Sequence, residues 1–185
     1  MSSTKNFAGV LGAARNGEER AWNAIYSEFA PALLGYLRAR WADHPEDLLG
    51  EVMLQIVRDL PKFDGGEREF RAWAFTITHH RLLDERRRSA RRRAEPVPAP
   101  ELERLGPRGD TEDDALRAQS AERVARLLAR LSEDQQNVIL LRVLGELMSE
   151  EVGQVIGKSA GAAKALQRRG LDAIKRELAR ERVTI

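Results

Sequence analysis

Residues 147–178 read Leu-Met-Ser-Glu-Glu-Val-Gly-Gln-Val-Ile-Gly-Lys-Ser-Ala-Gly-Ala-Ala-Lys-Ala-Leu-Gln-Arg-Arg-Gly-Leu-Asp-Ala-Ile-Lys-Arg-Glu-Leu. A short apolar-periodic segment, a turn at Gly157-Lys158-Ser159 and a second periodic segment predict a helix-turn-helix. On the second helix Ala163, Leu166, Gly170, Ile174 and Leu178 recur on one side, and Lys164, Ala165, Arg168 and Arg169 on the other. The small Gly161, Ala162 and Ala165 let backbone approach a groove, while Lys164 and Arg168, one turn apart, reach phosphates or guanine edges. The bland alternative is a helical hairpin with a solvated basic face.

Upstream the charge is segregated. The chain of 185 residues carries a formal +2, yet residues 1–93 hold 16 Lys/Arg against 13 Asp/Glu, residues 94–120 hold 3 against 7, and residues 121–185 hold 12 against 9. Four of the seven prolines (Pro96, Pro98, Pro100, Pro107) fall in the acidic middle, where alternate prolines forbid a helix and favour an extended path. All ten aromatic residues lie between Phe7 and Phe75. These divisions predict a flexible tail over 1–15, a first domain over 16–93, an acidic Pro-rich linker over 94–120 and a second domain over 121–182.

Both domains read as helical and no β-type alternation persists, so the expected class is all-α. Asn16 with Glu19 has capping-box spacing, Trp22, Ile25, Tyr26, Phe29, Leu33, Leu34 and Leu37 follow at helical spacing, and Pro31 predicts a kink or break. Pro45 suits the first turn of a helix whose apolar stripe is Leu48, Leu49, Val52, Ile56 and Leu60. Gly65-Gly66 punctuates before a third helix, and Ser132 with Gln135 forms a second cap signal. Zero cysteines exclude disulfides and thiolate metal sites. No apolar run reaches the length of a membrane span, and the first residues lack a secretory pattern, which predicts a soluble intracellular protein.

Two further features carry chemistry. After Phe70, Trp73, Phe75 and Ile77 come seven arginines and two acids by Arg93, a pairing suited to unstacked single strands, with rings for bases and guanidinium groups for phosphates. Phe70 and Trp73, three residues apart, equally suit core packing. Asp47, Glu51 and Gln55 recur one turn apart, as a wetted face or as a dock for a basic partner. His79, His80 and Asp84 invite a metal reading, but adjacent histidines diverge by about 100° on a helix and chelate one ion poorly.

In order and spacing these blocks resemble the bacterial RNA polymerase sigma factors of the extracytoplasmic-function group, from about Asn16 to Leu178. Glu46-Asp47-Leu48, Glu51-Val52 and Phe63 resemble the family's core-binding helix. Phe70, Trp73, Ile77, His80, Asp84 and Arg87-Arg88 resemble its promoter-melting block, and Glu151-Val152, Gly157, Ser159, Gly161, Lys164 and Arg169 its helix-turn-helix. The resemblance implies promoter recognition, DNA melting and transcription initiation without enzymatic activity or a cofactor, in the cytoplasm. The partners it implies are core RNA polymerase (β′ clamp helices and β flap), promoter DNA and an anti-sigma factor. Asp47, Leu48, Glu51 and Gln55 would bind the polymerase. Phe63, Asp64, Phe70, Trp73, His79, His80, Arg81, Arg87 and Arg88 would engage the minus-ten element, where a base leaves the stack. Lys158, Ser159, Gly161, Lys164, Ala165, Arg168 and Arg169 would engage the minus-thirty-five element.

The chain departs from the pattern at several points. His80 stands in place of the usual Asn and Ala74 in place of Leu. Met148 replaces the usual Ser cap, so Ser149 is expected to cap one residue late. Gly153, Ala163 and Gly170 are smaller than usual, which predicts weakened helix propensity by about 1 kcal/mol at Gly153 and loose packing of the second domain. Two other readings compete: a stand-alone, homodimeric helix-turn-helix regulator, and a helical metal enzyme using His79, His80 and Asp84.

Overall fold

The computed structural model describes the backbone of residues 7–94 and 112–183, with side-chain surroundings for 7–91 and 119–180. Among these residues the regular structure is all helical, with no strand: α1 (Phe7–Arg15), α2 (Glu19–Ala39), α3 (Pro45–Asp59), a 3-10 turn (Leu60–Lys62), α4 (Glu67–Ala94), α5 (Glu112–Ala129), α6 (Glu133–Val143), α7 (Ser149–Ile156) and α8 (Ala160–Val183).

The first four helices share one core. Ile25, Phe29, Leu33 and Leu37 of α2 meet Leu48, Leu49, Val52 and Ile56 of α3 and Phe70, Phe75 and Leu82 of α4. These positions fall at the spacing that keeps one stripe inward, and each large aliphatic buried this way contributes about 1.5–3 kcal/mol. Pro45 sits in the first turn of α3, where a missing N–H costs nothing.

The same buried cluster continues into α6, α7 and α8 through Val138, Leu141, Leu147, Val152, Val155, Ala163 and Leu166. Ser132 caps α6 in a full capping box: its Oγ accepts from the Gln135 N–H at 3.4 Å, and the Gln135 side chain accepts from the Ser132 N–H at 3.0 Å.

Several sequence expectations need correction. Residues 7–15 are not a flexible tail. They form α1, whose Leu11 and Ala14 are buried. Asn16 is no cap of α2; its N–H extends α1 by bonding to Gly12, and α2 begins after Glu18 without a side-chain cap. Helix α2 runs through Pro31. The proline is on the exposed face, as is Ser27 one turn earlier, so the carbonyl that loses its partner meets water. Residues 112–120, placed in the linker, belong to α5, and 95–111 lie outside the described residues.

Ser149 does not cap α7. Met148 holds the cap position, and the Glu151 carboxylate accepts its N–H at 2.6 Å. Nor is the second domain loosely packed. A Cβ on Gly153 would lie 2.6 Å from the Lys158 carbonyl oxygen, and one on Gly170 2.7 Å from Ile139 Cδ1. The small residues bring helices closer instead of leaving gaps.

The two halves also touch. Helices α2 and α4 face α6 and α7 across a seam with an apolar part (Phe75, Gly35, Leu144, Gly145, Leu147) and a polar part. In the polar part the Tyr36 hydroxyl lies 2.8 Å from His79 Nδ1 and donates to Asn137 Oδ1 at 3.2 Å. Arg40, 1% exposed, donates to Gln136 and, at 2.8 Å, to Glu133. Arg86 donates to Glu133 as well, and to the Arg40 carbonyl at 2.6 Å.

Candidate nucleic-acid and polymerase interfaces

Helices α7 and α8 build the helix-turn-helix. Gly157 takes a left-handed φ of 68°, which glycine adopts without steric cost, and the Lys158 N–H returns to the Gly153 carbonyl at 2.8 Å. Ser159 starts α8 by accepting from the Ala162 N–H at 3.2 Å. Ala163, Leu166 and Gly170 face inward, while Gly161, Lys164, Arg168 and Arg169 are exposed. Lys164, Ala165 and Arg168 line one shallow concavity.

The charges on this face differ in freedom. Lys158 pairs with Asp134 at 3.1 Å and Lys164 with Glu150 at 3.4 Å. The Glu150 carboxyl is held below its ordinary range by a backbone hydrogen bond and then by Lys164. Arg168 and Arg169 have no ion pair among the described residues. Exposed pairs of this kind are worth little, so Lys164 leaves Glu150 at small cost.

In the first half the loop after the 3-10 turn presents Phe63 and Asp64. Phe63 stacks on Trp73 at 4.9 Å between ring centroids, and Phe70 meets both edge-on at 5.6 Å. Phe29 and Phe7 close the cluster from below at 4.9 and 5.4 Å from Phe70. Arg15 at the end of α1 donates to the Phe63 carbonyl at 2.6 Å, so α1 positions the loop. Phe63 and Trp73 are half-buried and Asp64 and His80 exposed.

Phe70 and His79 are not on the surface. Phe70 is fully buried beneath Phe63 and Trp73, and His79 is buried with its Nδ1 2.8 Å from the Tyr36 hydroxyl. Burial, and next the positive field of His80, Arg40 and Arg86, lowers the His79 pKa from 6.5 to about 4. Burial also raises the Tyr36 phenol above its ordinary value. The ring centroids of His79 and His80 are 6.2 Å apart and tilted by 45°, and no cluster of three metal-ligating side chains occurs among the described residues.

Helix α3 presents Asp47, Glu51 and Gln55 outward, while Leu48 is buried and faces its own core. Arg81 of α4 donates to Gln55 at 2.7 Å and lies 3.4 Å from Glu51. Arg88 reaches the same carboxylate at 3.9 Å. The acidic face of α3 and the basic face of α4 are therefore one continuous, cross-braced surface. Arg87 pairs locally with Asp84 at 3.0 Å.

Two residues of this surface escaped the sequence reading. Leu54 is 69% and Val57 45% exposed, between Asp47, Glu51 and Arg58. The signal was present: at 100° per residue Leu54 points almost opposite the stripe of Leu48, Val52 and Ile56. An exposed leucine there, rimmed by carboxylates, has the composition of a docking site. Tyr36, Arg40, Gln136 and Asn137 were also missed, because pairing across about 100 residues leaves no periodic trace.

Comparison with known proteins places this geometry. Residues 25–92 match the sigma-70 region 2 family and residues 127–176 the sigma-70 region 4 family. The chain is 32% identical over 183 residues to the ECF RNA polymerase sigma factor ShbA of Streptomyces griseus, covering 90% of this chain and 94% of that one. It is 30% identical to the ECF RNA polymerase sigma factor SigD of Mycobacterium tuberculosis, over 91% and 82% of the two chains. Its fold resembles the solved structure of CnrH in complex with the cytosolic domain of CnrY, with a TM-score of 0.68, 22% identity and coverage of 95% and 98%.

Proposed function

The chain belongs to the extracytoplasmic-function group of RNA polymerase sigma factors, and on that footing we propose how its surfaces divide the work of promoter-specific initiation. It binds core RNA polymerase and directs initiation at a specific set of promoters. The outer face of α3 docks on the polymerase clamp: Leu54 and Val57 supply the apolar centre, and Asp47, Glu51 and Gln55 the rim. Burying Leu54 alone is worth about 1.5–3 kcal/mol.

Phe63, Asp64, Trp73, His80 and the arginines Arg81, Arg87 and Arg88 take the minus-ten strand after melting. The stacked Phe63–Trp73 pair offers a ring face to an extruded base, and base-on-aromatic stacking contributes about 1–3 kcal/mol. Phe70 acts through packing, as the floor under both rings. Helix α8 enters the minus-thirty-five major groove with Gly161, Lys164, Ala165 and Arg168 leading, and Lys158, Ser159 and Arg169 beside the phosphates. The second half also contacts the β flap.

The factor itself makes no bonds; RNA synthesis belongs to the polymerase. No described helix is long and apolar enough to cross a membrane, and the proposed place of action is the cytoplasm, at the nucleoid, with an anti-sigma protein as a further partner. The match to sigma-70 region 2 over residues 25–92 favours this reading over both the stand-alone regulator and the metal enzyme. The observation that carries the assignment of surfaces is the pairing, in one chain, of a free basic recognition helix with an apolar-centred acidic helix face. The test is holoenzyme reconstitution: Leu54→Glu abolishes polymerase binding, and Arg168→Ala leaves it intact while weakening promoter binding. Normal polymerase binding by Leu54→Glu overturns the placement.

A further inference from the structure

Helix α1 precedes the stretch that matches sigma-70 region 2, which begins at residue 25, so that match assigns it nothing. Yet both ends of α1 lie against the aromatic loop of the first half. Phe7 packs edge-on, at 5.4 Å, against Phe70, the floor of the Phe63–Trp73 stack. Arg15, in the last turn, reaches the loop itself.

Arg15 donates from Nε to the Leu60 carbonyl at 3.4 Å and from Nη2 to the Phe63 carbonyl at 2.6 Å. It has no ion pair among the described residues. Leu60 is the C-cap of α3, where the helix dipole is negative and a cation is favoured. A cation in the last turn of α1 would suit α1's own carbonyls equally well. This one spends its fork on another element, 45 and 48 residues away.

The rest of the loop is pinned as closely. The Phe63 N–H returns to the Leu60 carbonyl at 3.1 Å, and the Glu69 carboxylate accepts the Gly66 N–H at 3.0 Å. A Cβ on Gly65 would lie 2.9 Å from the Phe63 ring and 2.8 Å from the Glu69 Cβ, so only glycine lets the chain pass there against the ring. Asp64 stands between these two anchors with its side chain exposed. A residue fixed on both sides has little freedom of direction.

We propose that Arg15 is a positioning residue for base selection on the minus-ten strand: from α1 it fixes the Phe63 carbonyl, and through it the direction of the Phe63 ring and of Asp64. This rests on the reading that the loop takes the melted strand. A ring that stacks on any base gives affinity with little preference, so preference comes from a polar group held in one place. Asp64 is the charged side chain of the loop, and its carboxylate accepts from a base that carries an exocyclic amino group. A loop braced by Arg15 offers that acceptor at a single distance, with the ordering cost met before the strand arrives.

The test uses holoenzyme formed from core RNA polymerase and the full chain. Single-stranded DNA of random sequence is captured on it and sequenced, with core enzyme alone as the background. The wild type enriches one motif, in which a base with an exocyclic amino group is preferred at one position. Asp64→Ala flattens that position. Arg15→Ala flattens the same position and lowers total capture roughly tenfold, the scale of one lost charge-assisted hydrogen bond. Arg15→Lys, which keeps the charge and one donor, recovers part of both. Core polymerase binding and helix content by circular dichroism stay unchanged in these variants, because the buried Leu11 and Ala14 hold α1 in place.

An intact motif in Arg15→Ala, with or without a fall in thermal stability, makes Arg15 a structural residue only; it overturns the proposal and leaves the minus-ten reading standing. Selection unchanged in both Asp64→Ala and Phe63→Ala overturns the minus-ten reading of the loop, and the proposal with it.

Discussion

Gly153→Ala separates local helix preference from the geometry of the turn. Alanine raises helix propensity, so by itself the change stabilises α7 by about 1 kcal/mol. In the folded chain the new Cβ would lie 2.6 Å from the Lys158 carbonyl oxygen, 3.2 Å from the Ser159 carbonyl carbon and 3.3 Å from the Ala160 nitrogen. All three are backbone atoms of the turn, so no side chain can swing aside. Reaching ordinary contact at about 3.4 Å moves the turn, and the start of α8 with it, by roughly 0.8 Å. Overpacking of this kind costs about 1–3 kcal/mol. The gain in propensity offsets part of that, leaving a net loss of about 1 kcal/mol. Urea denaturation measures the stability, and binding to a minus-thirty-five duplex measures the displaced recognition helix. An alanine variant that is more stable by about 1 kcal/mol, with unchanged DNA affinity, refutes the steric reasoning.

Arg168→Ala weakens minus-thirty-five binding by about 1–3 kcal/mol and relaxes preference at one base pair if the guanidinium reads a guanine edge; a smaller salt slope with unchanged preference identifies a phosphate contact instead. Leu54→Glu lowers polymerase affinity by more than the roughly 1.5–3 kcal/mol of one buried leucine, because its carboxylate is desolvated as well, and so abolishes detectable binding, with unchanged thermal stability because the residue touches no core. Acid destabilises the fold around His79. Burial first, then the nearby His80, Arg40 and Arg86, lowers its pKa from 6.5 to about 4, so the imidazole is held neutral. The stabilisation this lends to the folded chain is complete above pH 6.5 and lost as pH falls toward 4. Urea denaturation at pH 7.5 and at pH 5.5 reads a loss of about 1.4 kcal/mol; His79→Phe removes that dependence, and its persistence there contradicts the assignment to His79.

The helix-turn-helix was legible because its signals are local. Gly157 marks the turn, Ser159 the next helix start, and the inward residues of α8 keep strict spacing. The class, the α3 stripe and the Ser132 cap were legible for the same reason. Errors arose where local signals conflict. Asn16-Gly17 serves equally as a helix end and a helix start, and the spacing of Phe7, Val10, Leu11 and Ala14, which marks α1, was overlooked. Pro31 reads as a break unless its exposed position is known. The smallness of Gly153 and Gly170 reads as looseness from sequence, because the approach of a neighbouring backbone is visible only in three dimensions. Phe70 and His79 carry the right chemistry for a strand surface, but tertiary packing decides which ring of an aromatic-rich helix faces out. The seam of Tyr36, Arg40, Gln136 and Asn137 is purely tertiary.

The most direct measurement is initiation itself: core RNA polymerase is mixed with this protein and genomic DNA of its source, and the 5′ ends of the transcripts are mapped. The account predicts a discrete set of starts, absent with core enzyme alone, that share two upstream motifs at one fixed spacing and vanish with Leu54→Glu. Starts that match those of core enzyme alone contradict it.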